Sequence, residues 1–452
     1  MNHLKSPKTE KTSGPPSLLI RDAHIWTNNE TTRGSILIED GRIQRIARKI
    51  TEPVEERILA NRLLVLPGLV DAHVHLRDMK LSYKEDFTTG TAAAAAGGFT
   101  TVLDMPNSQP PTDSVEHLKE RAARASRRIF VNVGFHAAAL DDQQAAKAMK
   151  SAGAFSMKLY MPSPIAPLDV NDDAVVVRVM RAAKQASLPL TVHAEDATIL
   201  PSTGEINSFR ELVRSRRGNA ETSAVRRILR LQQRIGCRVH FCHVSLPSSL
   251  SAIANRSSSR LSSEVTPHHT LLSENNVKTL GWKAWMVPPL RSRKDMGSLF
   301  RAMATGTSTI IATDHAPHTI KEKTRTPRKS PPGIPGLETA LPLMLTMVNK
   351  GKLSLGRLVS LLSTNPVKVF GLGSKERLEN GADADLVLVD LKKRGKIDPG
   401  KFFSKARYSP FEDWKTQGAV HTTVVNGSII YSNEEIIGKA GAGKVLRSGR
   451  HE

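Results

Sequence analysis

Cysteine is nearly absent: the 452-residue chain has two, Cys237 and Cys242. They lie five apart around one expected strand, a poor geometry for a mutual disulfide. They are also two short of a structural zinc site. A disulfide scaffold is not expected, and both thiols read as core or barrel-lining residues. Aromatic residues make up only 4%, which leaves few platforms for stacking single-stranded nucleic acid. No run reaches the roughly 18 apolar residues of a membrane helix. Residues 1–17 are polar, contain lysine and proline, and lack the apolar centre of a signal peptide. They read as a disordered tail, and the location as cytoplasmic. Acidic residues are in deficit, 43 against 65 basic ones, for a net charge of +22. The basic residues are spread along the chain, with clusters at 214–217 and 321–329. That distribution fits a solvated surface first and attraction of an anionic small molecule second, with nucleic acid a weak third. The cluster at 321–329 is the one expected to steer such an anion.

What the chain does have is alternation. Short β-branched or apolar runs at 65–75, 100–104, 129–135, 155–160, 188–193, 238–243, 262–266 and 308–313 are separated by helical patterns, among them 91–96, 114–125, 172–186, 219–234 and 293–303. Eight βα units predict a closed parallel (β/α)8 barrel of the TIM type, an α/β fold of about 250 residues or more. In such a barrel the chemistry sits at the C-terminal ends of the strands. Here those ends carry His73 and His75, Lys158, His193, His243 and Asp314. His73 and His75 are two apart on a strand and so share a face, which lets two imidazoles meet one divalent metal. Any one of these histidines alone has an ordinary packing explanation. Together, at the mouth of one barrel, they predict a metal site.

These residues stand in recognisable motifs. Gly68-Leu69-Val70-Asp71-Ala72-His73-Val74-His75 resembles the first signature of the amidohydrolase superfamily, and the continuation Leu76-Arg77 resembles its dihydroorotase branch. The resemblance runs on through Asp104-Met105-Pro106-Asn107, Met157-Lys158-Leu159-Tyr160, His193-Ala194-Glu195, Cys242-His243-Val244-Ser245, Glu264-Val265-Thr266-Pro267-His268-His269, Ala312-Thr313-Asp314-His315-Ala316-Pro317-His318 and Pro332-Gly333-Ile334-Pro335-Gly336-Leu337-Glu338-Thr339. It covers residues 18 to 435.

The resemblance implies a barrel at 67–369 and a small composite β-sandwich made by the flanks 18–66 and 370–435, followed by a basic tail at 436–452. Asp40-Gly41 and Asn426-Gly427 independently mark hairpins in both flanks. It implies two zinc ions per subunit: His73, His75 and Asp314 on one, His193 and His243 on the other, and a carbamylated Lys158 between them. A hydroxide shared by the two metals is then the nucleophile, with Asp314 as general base and then acid. His75, Arg77, Asn107, His318, Pro332 and Gly333 are the implied substrate contacts, Arg77 holding a carboxylate by paired hydrogen bonds. The implied reaction is reversible closure of N-carbamoyl-L-aspartate to L-dihydroorotate in pyrimidine biosynthesis. The implied assembly is a homodimer that can associate with an aspartate transcarbamoylase. His268, His269 and His315 are expected to support the site rather than bind metal. The chain departs from the pattern at Val287, where a polar or basic side chain is usual. A hydantoinase or allantoinase shares the metal set and is the alternative enzyme. A non-catalytic scaffold relative, which would have lost ligands, is the alternative of another class.

Overall fold

The computed structural model describes residues 17–200, 206–373, 375 and 377–449. The expected tail at 1–17 lies outside them except for Ser17, which opens the first strand.

The N-terminal flank forms β1 (Ser17–Thr27), β2 (Glu30–Glu39), β3 (Arg42–Ala47), β4 (Glu56–Leu59) and β5 (Leu64–Pro67). The barrel supplies β6 (Leu69–Val74), β7 (Phe99–Asp104), β8 (Asn132–Phe135), β9 (Ala137–Ala138), β10 (Met157–Tyr160), β11 (Leu190–His193), β12 (Val239–Phe241), β13 (Leu261–Val265) and β14 (Ile310–Ile311). The C-terminal flank adds β15 (Leu386–Lys396), β16 (Lys415–Val425), β17 (Ser428–Ser432) and β18 (Glu435–Ile436).

The two flanks join in one nine-stranded sheet of order β18-β17-β16-β15-β5-β1-β2-β3, with β4 paired to β1. The seam is β5 antiparallel to β15, Leu66 opposite Val387. Asp40-Gly41 and Asn426-Gly427 turn their hairpins with all four residues at positive φ, the conformation a two-residue hairpin needs. The sheet curls until the first hairpin meets the approach to β15, where Ala384 N–H donates to the Gly41 carbonyl at 2.8 Å. Inside the curl lie Ile20, Ile25, Ile36, Ile38, Leu386 and Val424.

The run 65–75, expected as one strand, is two. Gly68 separates β5 from β6, its N–H donating to the Asp385 carbonyl at 2.8 Å. A Cβ there would come within 2.2 Å of Thr100 Oγ1. Only glycine lets the chain pass this close and leave one sheet for the other.

From β6 to β14 all pairing is parallel. The third barrel strand is broken into β8 and β9 at His136, whose ring bonds the Ala72 carbonyl at 3.1 Å and Ser156 Oγ at 2.6 Å. The ring closes where Val74 bridges to His315, His75 N–H donating to the His315 carbonyl at 2.8 Å. The helices start at capping side chains. Ser114 accepts from His117 N–H ahead of Val115–Ala125, and Asp172 from Ala174 N–H ahead of Asp173–Gln185. The helix expected at 91–96 begins earlier, at Phe87, because Asp86 and Thr89 form a capping box there.

The described part of the stretch expected as a basic tail, up to Gly449, packs on the barrel. Val133 N–H donates to the Lys444 carbonyl at 2.9 Å, and Leu446 N–H returns to the Val133 carbonyl at 2.8 Å.

Candidate metal centre and substrate pocket

A cavity of about 320 Å³ opens at the C-terminal ends of the barrel strands. Its wall holds every expected metal ligand and substrate contact: His73, His75, Arg77, Asn107, Lys158, His193, His243, Asp314, His318, Pro332 and Gly333. Met105, Pro106, Tyr160, Ser163, Ile165, Val287 and Ala316 complete it, the serine and isoleucine coming from the proline-rich stretch at 161–168.

The histidines are arranged by acceptors behind them. His73 Nδ1 lies against Glu264, and its Nε2 faces Asp314 Oδ1 at 3.4 Å. His75 Nδ1 meets Asn107 Oδ1 at 2.6 Å, and its Nε2 meets the same Asp314 oxygen at 3.1 Å. His193 Nε2 meets Glu195 Oε2 at 2.8 Å, while its Nδ1 lies 2.9 Å from His243 Nε2. An oxygen acceptor on one ring nitrogen holds a proton there and turns the other nitrogen's lone pair inward. His243 Nδ1 is buried with no hydrogen-bond partner. Neither tautomer of His243 therefore satisfies both of its nitrogens; its Nε2 and His193 Nδ1 face each other closely enough for their lone pairs to meet one cation. The ligand atoms of His73, His75 and Asp314 lie within 4.8 Å of one another.

Burial pushes His75 and His193 down to about 4, and His243 well below its ordinary value, so these rings are neutral and able to coordinate. His73 differs. Burial and the Lys158 charge oppose its cationic form, but the Glu264 and Asp314 carboxylates outweigh them and raise it to about 10. The two carboxylates thus favour positive charge at this position. Burial alone would raise Asp314; His73 and the His75 hydrogen bond prevail and hold it well below the carboxylate range. Lys158 is buried, and its Nζ donates to Cys242 Sγ at 3.0 Å. Among the described residues it has no carboxylate within ion-pair distance. The surface pairing that would make it an ordinary lysine is not there.

Three site residues carry strained backbone. Arg77, His243 and Asp314 have φ of 59°, 33° and 48°, a region non-glycine residues adopt at a cost of about 1–3 kcal/mol each. Asp71 offsets part of it by accepting from His73 N–H at 3.2 Å and from Thr313 N–H at 3.1 Å. Arg77 is fixed by its Nε–H to the Pro317 carbonyl at 3.3 Å and approaches His318 Nε2 at 3.2 Å. On the other side of His318, Lys84 Nζ sits 3.1 Å from Nδ1. Burial, then Arg77, Lys84 and Lys323, push His318 far down. This end of the cavity is positive and suited to an anion.

The sequence reading gave no roles to Glu195 and Glu264, which orient His193 and His73, or to Cys242 as a neighbour of Lys158. Glu195 stands two residues beyond His193, on the same side of an extended chain, and that spacing was the available signal. His269 bonds Thr266 Oγ1 at 2.8 Å and the Pro288 carbonyl at 2.9 Å, and neither it nor His268 joins the ligand group.

The profile of the amidohydrolase family matches residues 64–430. A dihydroorotase of Bacillus cytotoxicus is 36% identical over 415 residues, 89% of this chain and 95% of its own. One from Bacillus cereus (strain G9842) is 35% identical over the same shares. Among solved structures, the L-hydantoinase (dihydropyrimidinase) of Arthrobacter aurescens superposes with a TM-score of 0.88 at 28% identity, covering 95% of this chain and 99% of that one. The D-hydantoinase (dihydropyrimidinase) of a Thermus species gives 0.88 at 27% over the same shares. By family profile and by identity along most of its length, the chain belongs to the amidohydrolase family, in its dihydroorotase branch.

Proposed function

We propose that the protein interconverts N-carbamoyl-L-aspartate and L-dihydroorotate, using two zinc ions bridged by a carbamylated Lys158. The observation that carries the substrate is the juxtaposition of a donor cluster with a positive carboxylate pocket, Arg77 and His318 3.2 Å apart. The family is metal-dependent, and the donor set fits a metal. His73, His75 and Asp314 would hold one ion and His193 and His243 the other. Lys158 as a carbamate would offer one oxygen to each; a free ammonium cannot ligate. When bound, such ions lower the pKa of water and polarise a ring carbonyl.

The chain's own residues do the rest. Asp314 is ionised at neutral pH and can accept a proton from the attacking water, then return it to the leaving ring nitrogen. Arg77 offers a fork of N–H donors to the ring carboxylate. Asn107 Oδ1 is engaged by His75, which leaves its NH2 as the donor for that carboxylate. Gly333 N–H is committed to the Trp285 carbonyl at 3.0 Å, so its carbonyl is the group it offers the ring. Met105, Ile165 and Val287 give the cavity apolar lining.

A hydantoinase is the second reading, supported by the solved relatives and by the apolar Val287. Hydrolysis of L-dihydroorotate, hydantoin and allantoin by zinc-replete protein separates the two. Preference for dihydroorotate by at least tenfold in kcat/KM supports the proposal, and preference for either other ring overturns it. We extend the same proposal to a barrel unit at 67–369 with a composite flank unit, a homodimer, a cytoplasmic location and an association with aspartate transcarbamoylase. Light scattering alone and with that enzyme tests the assemblies. No helix among the described residues is long and apolar enough to cross a membrane.

A further inference from the structure

The basic cluster at 321–329 contains a lysine that cannot steer anything through solvent. Lys323 ends the short helix Ile320–Lys323, and its side chain is fully buried. Its Nζ donates to the Trp285 carbonyl at 2.9 Å and to the Pro331 carbonyl at 3.1 Å. Three more bonds close the arrangement. Gly333 N–H donates to the same Trp285 carbonyl at 3.0 Å, Trp285 Nε1–H to the Ser330 carbonyl at 2.9 Å, and Ser330 Oγ–H to the Lys323 carbonyl at 2.8 Å.

Two chain segments meet at this ammonium. One runs through Trp285 to Val287 and the other through Pro331 to Gly333, and Val287, Pro332 and Gly333 all line the cavity. Pro332 also gives its carbonyl to His318 Nε2 at 3.0 Å. Burying an ammonium against neutral carbonyls is costly, and burial alone lowers Lys323 to about 7. A methionine would fill the same volume without that cost. The ammonium's distinctive contribution is therefore to hold two carbonyls on two loops.

We propose that Lys323 is a positioning residue for substrate binding: it staples the 285–287 and 331–333 segments together and so sets the wall against which the ring is held. The consequence for substrate rests on the function proposed above, but the staple itself does not.

The test is Lys323→Met, with Ser330→Ala as a milder break of the same ring of bonds. Amide hydrogen exchange reads the staple without any substrate. Peptides covering 285–288 and 331–336 should exchange at least tenfold faster in Lys323→Met, with strands β10–β12 and metal content unchanged. Ser330→Ala should move the same two peptides by less. For the ring amide that the wild type turns over best, KM should rise about tenfold while kcat stays within threefold. Unchanged exchange in both segments, or acceleration in only one, overturns the staple. Normal KM despite faster exchange overturns its role in binding. Loss of metal alongside kcat would assign Lys323 to the metal centre and also overturn it. If Lys323→Met does not fold, Ser330→Ala decides, and unchanged exchange there refutes the proposal. Failure of wild-type protein on dihydroorotate would bear on the substrate reading and leave the exchange result standing.

Discussion

Substituting Glu264→Gln tests whether buried carboxylates build the metal centre. Glu264 accepts from His73 Nδ1, from His240 Nε2 at 2.9 Å and from His243 N–H at 3.0 Å. It is fully buried, and though burial works against its charge, His73 and His240 hold it well below the carboxylate range. Glutamine has nearly the same shape but only one acceptor oxygen. Its NH2 must face either His73 or His240, both of which present N–H groups. At least one charge-assisted hydrogen bond is lost, worth about 1.5–3 kcal/mol, and where the NH2 faces His73 that ring is free to adopt the tautomer whose Nε2 carries the proton. Loss of such an orienting partner weakens metal binding by about 10–100-fold. The assay is metal per chain after dialysis against graded chelator, with kcat/KM followed as metal is restored. We expect the variant to lose metal at about 10–100-fold higher free concentration than wild type and to recover most activity in excess metal. A variant that folds, holds metal as tightly as wild type and works equally well would refute the argument that Glu264 sets the His73 lone pair.

Arg77→Met should raise KM for dihydroorotate by more than about 30-fold, since truncating one side of a buried charge pair costs about 2–5 kcal/mol; steady-state kinetics checks it. On the proposed function Lys158→Met removes the group that would bridge two ions, so elemental analysis should find fewer than two metals per chain and turnover should fall to background. Arg121→Met leaves Asp104 buried without its partner and removes the guanidinium between Phe87 and Phe135, 5.4 and 5.5 Å from their centres. Urea denaturation should show a loss of about 3–5 kcal/mol. Burial raises Glu338 to about 8, above its unfolded value, so its protonated form is the one the fold favours. Its stabilising contribution is complete below the ordinary glutamate range and is lost as pH rises through about 8. The Tm of wild type should therefore fall between pH 5 and pH 8 by more than that of Glu338→Gln.

What could be read from the chain, and what could not, follows from the range over which each feature is decided. Barrel strands are written locally, as apolar runs between helical patterns, and their positions were legible. Their ends were not. The run at 238–243 forms a strand over Val239–Phe241 only; Cys242 N–H still reaches the Val192 carbonyl at 2.9 Å, and His243 then turns to φ 33°. That turn brings an imidazole to the cavity wall and cannot be inferred from a residue's β propensity. The metal-ligand candidates were legible because strand ends of a barrel converge whatever the loops do. The acids behind them required ring closure: Glu264 stands on β13 and reaches His73 on β6, a meeting that depends on the barrel being shut. Gly68 hides its role for the same reason, since the carbonyl it meets belongs to Asp385 in the other flank. Charge was the least legible quantity. A cluster of lysines and arginines invites a solvated reading, and for Lys321 the chain gives no reason to abandon it. At Lys323 the Thr319–Glu322 capping box winds one helical turn and directs the next side chain inward. A residue count assigns both lysines the same +1, but burial separates their work, one in solvent and the other holding carbonyls behind the substrate wall.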